Sequence, residues 1–222
     1  ACEACSLGGY CEAGAVVATR CAAGSFGNLT GLSSQESCFA CPPGHHCSTG
    51  ADAPTRCSPG TVQPQAGQGS CAKCAAGSYQ NDAGETACIE CAAGSHCEEG
   101  SSAERPCAAG SFGNTSGLGG QLDCHACPPG SFCFAGTTSA TECSAGTFAA
   151  NASSQLCTAC AEGTYQDAAG ATACIECAAG FSCPKGSVVQ IPAACEAGTF
   201  LDVTLAATLD DPLDACVGCL AG

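Results

Sequence analysis

Large apolar residues are sparse along this chain and seldom adjacent. Aromatic rings recur in the form Cys-x-x-Gly-x-Phe/Tyr, at Phe26, Tyr79, Phe112, Phe148, Tyr165 and Phe200, with small and polar residues between them. No stretch alternates for long enough to make an ordinary half-buried strand. The pattern predicts strands of two or three residues around each Gly-x-Phe/Tyr, paired as small hairpins and joined by turns. Asp82-Ala83-Gly84 and Ala168-Ala169-Gly170 fit turns between Tyr79 or Tyr165 and Cys88 or Cys174. Each glycine of the motif is expected in a turn that needs a positive φ or a close chain approach, with the following ring over the adjacent disulfide. Helical spacing occurs at Leu201, Leu205 and Leu209, so 202–209 reads either as one or two helical turns or as an insertion loop with its leucines partly tucked in.

The cysteines expose a longer period. Cys21, Cys38, Cys41, Cys47, Cys57, Cys71, Cys74, Cys88, Cys91 and Cys97 reappear as Cys107, Cys124, Cys127, Cys133, Cys143, Cys157, Cys160, Cys174, Cys177 and Cys183, displaced by 86 residues throughout. A compact Cys-x-x-Cys-x-x-Gly-x-x-Cys motif alternates with the ring motif, as at Cys38–Cys47 and Cys124–Cys133. Cys2, Cys5 and Cys11 end an earlier copy, and Cys195, Cys216 and Cys219 open a later one. The organisation is therefore a tandem array: 1–20 ends a preceding repeat, 21–106 and 107–194 are two super-repeats, and 195–222 begins a third. The chain starts inside this pattern and reads as a piece of a longer secreted protein.

Composition explains why cysteine carries the pattern. Leu, Ile, Val and Phe total 29 of 222 residues and there is no Met or Trp, so a greasy core is not expected. Twenty-six cysteines supply the alternative, a secreted disulfide scaffold. The expected fold is small and disulfide-rich, with tandem modules of short β-hairpins touching mainly their sequence neighbours and forming an elongated rod. A net charge of −15 argues against nucleic acid and anionic lipid as partners, and no apolar run is long enough for membrane insertion.

Two pairings fit the spacing. One joins sequence neighbours: Cys21–Cys38, Cys57–Cys71, Cys74–Cys88, Cys107–Cys124, Cys143–Cys157, Cys160–Cys174 and Cys195–Cys216, with the compact motifs closed as Cys5–Cys11, Cys41–Cys47, Cys91–Cys97, Cys127–Cys133 and Cys177–Cys183. Cys2 and Cys219 then pair outside the segment. The other crosses Cys38–Cys47 with Cys41–Cys57 and leaves Cys71 to Cys74, a strained short ring.

Candidate chemistry is sparse. Cys71/Cys74 and Cys88/Cys91 have zinc-ribbon spacing, but the acidic charge, extra cysteines and secreted character oppose a metal site. A thioredoxin-like reading lacks its scaffold. His45, His46, His96 and His125 read as surface or turn fillers, and Glu98-Glu99 and Asp210-Asp211 as solvated acids. Neither a catalytic residue nor a cofactor is expected. Three N-x-S/T sequons, at Asn28, Asn114 and Asn151, predict N-glycans on solvent-facing loops.

The alternation of Cys-x-x-Gly-x-Phe/Tyr with Cys-x-x-Cys, from Cys2 to Cys219, resembles the GCC2/GCC3 or ephrin-receptor-like cysteine-rich repeats and is similar in appearance to tumour necrosis factor receptor and EGF-like modules. The Ala-, Gly- and Ser-rich filler resembles green-algal surface glycoproteins, among them those of mastigonemes, the hair-like filaments of cilia. The resemblance implies an extracellular or cell-surface location, a stalk or filament role, and self-association or contact with other surface glycoproteins. The competing class is a ligand-binding or adhesion ectodomain, for which Phe39, Phe134 and the stretch from Leu201 to Leu213 would be the first contacts to test.

Overall fold

With so few large side chains, no element has an apolar face to bury, and regular structure shrinks to the smallest unit that still pairs its backbone. The computed structural model describes residues 5–178, 181–192, 199–201 and 216–218. Among them are twelve separate two-stranded antiparallel ladders. In the first super-repeat these are Ser25–Phe26 with Phe39–Ala40, His45–His46 with Thr55–Arg56, Thr61–Val62 with Ala72–Lys73, Ser78–Tyr79 with Ile89–Glu90, and Ser95–His96 with Arg105–Pro106. The second repeats them as Ser111–Phe112 with His125–Ala126, Ser131–Phe132 with Thr141–Glu142, Thr147–Phe148 with Thr158–Ala159, Thr164–Tyr165 with Ile175–Glu176, and Phe181–Ser182 with Ile191–Pro192. Gly9–Tyr10 with Thr19–Arg20 precedes them, and Thr199–Leu201 with Cys216–Gly218 follows.

Two-residue ladders are too short to persist alone, and the backbone itself supplies the missing cohesion. Gly44, at φ +74°, shows how. Its N–H donates to the Gln63 carbonyl of the following hairpin at 2.8 Å, and its carbonyl accepts from Cys57 N–H at 2.9 Å. A Cβ added at Gly44 would collide with the carbonyl oxygen of Gly84, one hairpin further on, whose own N–H donates to the Cys57 carbonyl at 2.9 Å. This turn thus binds the next hairpin by a hydrogen bond and the next but one by a close backbone approach that only glycine permits. Asp82-Ala83-Gly84 is accordingly more than the local turn its sequence suggests, since Gly84 reaches back to an earlier module.

The chain divides into two compact units, Ala1–Pro106 with Gly113–Cys124, and Cys107–Phe112 with His125–Gly222. The first contains the Gly44 arrangement. The second contains its counterpart: Gly130 N–H donates to Ala149, its carbonyl accepts from Cys143, and Gly170 N–H donates to the Cys143 carbonyl, at 2.8, 2.9 and 2.8 Å.

The core is sulfur. Cys21, Cys41, Cys47, Cys57, Cys74, Cys91, Cys97, Cys107, Cys127, Cys143 and Cys160 are wholly buried and Cys5, Cys133 and Cys183 nearly so, whereas Val62, Ala149 and Pro192 are the other apolar side chains inside among those described. The rings stay half-buried and pack across their ladders: Phe26 lies 5.7 Å from Phe39 and Phe112 lies 5.5 Å from His125. The widest loops add one turn of 3-10 helix each, Gln35–Ser37 and Gln121–Asp123, which the hydrophobic pattern does not announce. Hydrogen bonds hold them: Ala22 N–H donates to Gln35 Oε1 at 3.0 Å, and Gly119 and Gly120 N–H donate to Asp123 Oδ2 at 2.9 and 3.0 Å. The region 202–209, where helical turns or an insertion loop are expected, lies outside the described residues.

Candidate functional site

Placing each hairpin over a sulfur core requires its two ends to meet, and the described disulfides do this in two sizes. The wide staples are Cys21–Cys38, Cys57–Cys71, Cys74–Cys88, Cys143–Cys157 and Cys160–Cys174. The narrow ones, each spanning six residues, are Cys5–Cys11, Cys41–Cys47, Cys91–Cys97, Cys127–Cys133 and Cys177–Cys183. Cys107 and Cys124 are also disulfide-bonded. Cα separations run from 5.6 to 6.3 Å, inside the span a disulfide bridges comfortably. Because Cys41 meets Cys47 and Cys57 meets Cys71, the crossed pairing is not the one adopted. Cys2, Cys195 and Cys219 lie outside the described residues, and Cys216 is described only as a strand residue.

These bonds bear on the metal question. Cys71, Cys74, Cys88 and Cys91 each have a sulfur partner, so the zinc-ribbon spacing offers no thiolate, the form a metal needs. A different trio is brought together: candidate ligand atoms of His46, Cys57 and Cys71 all lie within 4.8 Å of one another, with His46 Nδ1 3.5 Å from Cys71 Sγ. Two of the three are bonded to each other, which makes this an imidazole beside a disulfide.

The histidines do not behave as one class. His45 Nδ1 lies 3.0 Å from the Pro43 carbonyl, in keeping with a turn filler, and His125 is exposed against Phe112. His96 corrects the expectation: it is 5% exposed, and its Nδ1 has no hydrogen-bond partner. Its backbone explains the burial, because it pairs with Arg105 on one side and bridges to Leu118 on the other.

Three glutamines escaped sequence reasoning altogether. Gln63, Gln80 and Gln166 are buried, and each ties its own loop from within. Gln80 Nε2 donates to the Ala87 carbonyl at 2.7 Å while Asp82 N–H donates to Gln80 Oε1 at 3.0 Å. Gln166 repeats this with Ala173 and Ala168, and Gln63 with Ser70 and Gln65. The recurrence of Gln directly behind Tyr79 and Tyr165 was the available signal.

Asn28, Asn114 and Asn151 are exposed. Glu99 forms an exposed ion pair with Lys73 at 3.2 Å, while Asp210 and Asp211 lie outside the described residues. Glu36 has its carboxyl held below the usual range by a backbone hydrogen bond, helped by the Ser34 hydroxyl. A shallow pocket of 450 Å³ over Gly8 and Gly9 has one charged lining residue, Arg20.

Comparison with protein families fits this architecture. Residues 60–105 and 146–195 match the model described as tyrosine-protein kinase ephrin type A/B receptor-like. These segments are ephrin-receptor-like cysteine-rich repeats. The two matches begin at Gly60 and Gly146, the same point of the 86-residue period. No curated protein matches the chain. Ephrin-receptor-like repeats are typically non-catalytic, and oxidised cysteines at this density mark an extracellular or secreted segment. Among the described residues no helix is long and apolar enough to cross a membrane.

Proposed function

We propose that the chain is a disulfide-stapled spacer, a stalk or filament building block of an extracellular glycoprotein that associates with its own kind or with other surface glycoproteins. The observation that carries this reading is the relay of backbone contacts from turn glycines to the following hairpins within each unit, typified by Gly44, Gln63 and Gly84. Such a relay makes length by repetition. The algal character of the filler extends the reading to ciliary mastigonemes.

N-glycans on Asn28, Asn114 and Asn151 belong to the same proposal. Ser153 favours the third. Among the described residues it is the one non-glycine with positive φ, at +62°, where Gly67 stands in the first super-repeat, and it completes the Asn151-Ala152-Ser153 sequon. A serine in the left-handed region costs roughly 1 kcal/mol, a cost that retention of a glycan acceptor would explain. A ligand-binding ectodomain is the second reading, favoured by Phe134, 65% exposed and stacked edge-on against Phe132.

Electron microscopy of the native full-length protein separates them. Regular filaments are the expected result, whereas dispersed receptors on a membrane overturn the spacer reading. Peptide mass analysis before and after glycosidase treatment is expected to find sugar on all three asparagines, and unmodified asparagines throughout would defeat that part.

A further inference from the structure

One of the described staples has a base within reach of both its sulfurs. His46 Nδ1 lies 3.5 Å from Cys71 Sγ, and the imidazole and both sulfurs of Cys57–Cys71 fall within 4.8 Å of one another. The staple is also asymmetric toward solvent, since Cys57 is 0% exposed and Cys71 is half-buried. Its counterpart in the second super-repeat, Cys143–Cys157, has the same separation of 14 residues and Cα distances of 5.6 against 5.7 Å. There Phe132 occupies the place of His46, and a phenyl ring can neither accept nor give a proton.

We propose that Cys57–Cys71 is a thiol-exchange site for low-molecular-weight thiols, with His46 as its general acid–base. Accessibility fixes the direction of attack, because the half-buried sulfur is the one a small thiol can reach. The incoming thiol gives its proton to the His46 ring nitrogen as its sulfur bonds to Cys71 Sγ. The Cys57–Cys71 bond breaks, its electron pair leaves on Cys57 Sγ, and the imidazolium returns the proton to that thiolate. The products are a mixed disulfide on Cys71 and a free thiol on Cys57. One disulfide replaces another, so no oxidant, reductant or net proton is required. Thiol exchange depends on forming the attacking thiolate and on the ease with which the leaving one departs, and a single imidazole within reach of both serves each need. Spacing alone does not reveal the site: His46 and Cys71 are 25 residues apart and belong to different motifs.

The test uses the full oxidised chain and reduced glutathione at neutral pH, with acid quenching, alkylation of free thiols and time-resolved peptide mapping. Glutathione on Cys71 with alkylated Cys57 is expected roughly tenfold sooner than the corresponding products at Cys143–Cys157. His46→Phe should slow the first staple to the rate of the second, and Phe132→His should quicken the second. Equal rates at the two staples in the unaltered chain overturn the proposal. So does faster exchange after His46→Phe or His46→Gln, the result expected if His46 merely packs over the bond and shields it. Should His46→Phe fail to fold, Phe132→His still decides: an inert Cys143–Cys157 beside the new histidine counts against the mechanism.

Discussion

Gly67 and Ser153 occupy the same place in the two super-repeats and make the same bond. Gly67 N–H donates to the Cys41 carbonyl and Ser153 N–H to the Cys127 carbonyl, each at 2.8 Å, with φ of +75° and +62°. Around them much else has changed. Arg56 and Lys73 of the first super-repeat correspond to Glu142 and Ala159 of the second, Gln63 to Ala149, and His46 to Phe132. What persists is the set of atoms the backbone relay and the sulfur core require, while exposed strand side chains vary even in charge and the buried Gln63 gives way to Ala149. Stability in this array is thus held by main chain and disulfides, which leaves the loops free to differ in chemistry.

That comparison can be broken at several depths. Removing equivalent staples should cost the same in both super-repeats. Cys57→Ser with Cys71→Ser, and separately Cys143→Ser with Cys157→Ser, should each lower stability by about 3 kcal/mol, measured by denaturant unfolding with the other bonds intact. A large inequality would mean that loop chemistry contributes to stability after all. Gly44→Ala and Gly130→Ala come next, at roughly 2–3 kcal/mol, since the methyl group meets the carbonyl of Gly84 or Gly170. Gly67→Ala should cost only about 1 kcal/mol, because its Cβ meets nothing within 4 Å and the φ penalty stands alone.

The glutamines fall between Gly44 and Gly67 in size. Gln80→Ala and Gln166→Ala should each cost about 1–2 kcal/mol by leaving buried loop groups unpaired, and hydrogen exchange at Asp82 and Ala168 should quicken. Gln63→Ala should be the mildest of the three, since Ala149 fills the equivalent place. Ser153→Gly is the smallest effect and has the opposite sign: a gain of about 0.5 kcal/mol from relief of the left-handed conformation, with loss of any glycan on Asn151.

Most of the fold was legible because its determinants are written as residue types. Cysteines mark where hairpins close, and glycine before Phe26 or Tyr79 marks where they turn, so short paired strands followed directly. The relay was not legible, because Gly44 and Gly84 look like two local turns and nothing in either motif names the other as its neighbour. Gln80 was passed over because a polar side chain is expected outside, and its burial makes sense only once the loop it ties is closed around it. The pairing of the cysteines lay between the two cases: spacing reduced it to two arrangements, and the meeting of Cys57 with Cys71 separates them. His46 beside Cys71 belongs to the class that sequence hides, an approach made by packing across modules.

Because Gly44 finds its hydrogen-bond acceptor at Gln63 and its backing carbonyl at Gly84, no hairpin is finished when its own residues have been made. A chain leaving a secretory channel N-terminus first would carry a trailing zone of two incomplete hairpins, oxidised or open, that advances with synthesis. Pausing translation would strand that zone in the oxidising lumen, where its cysteines are most open to the wrong partner.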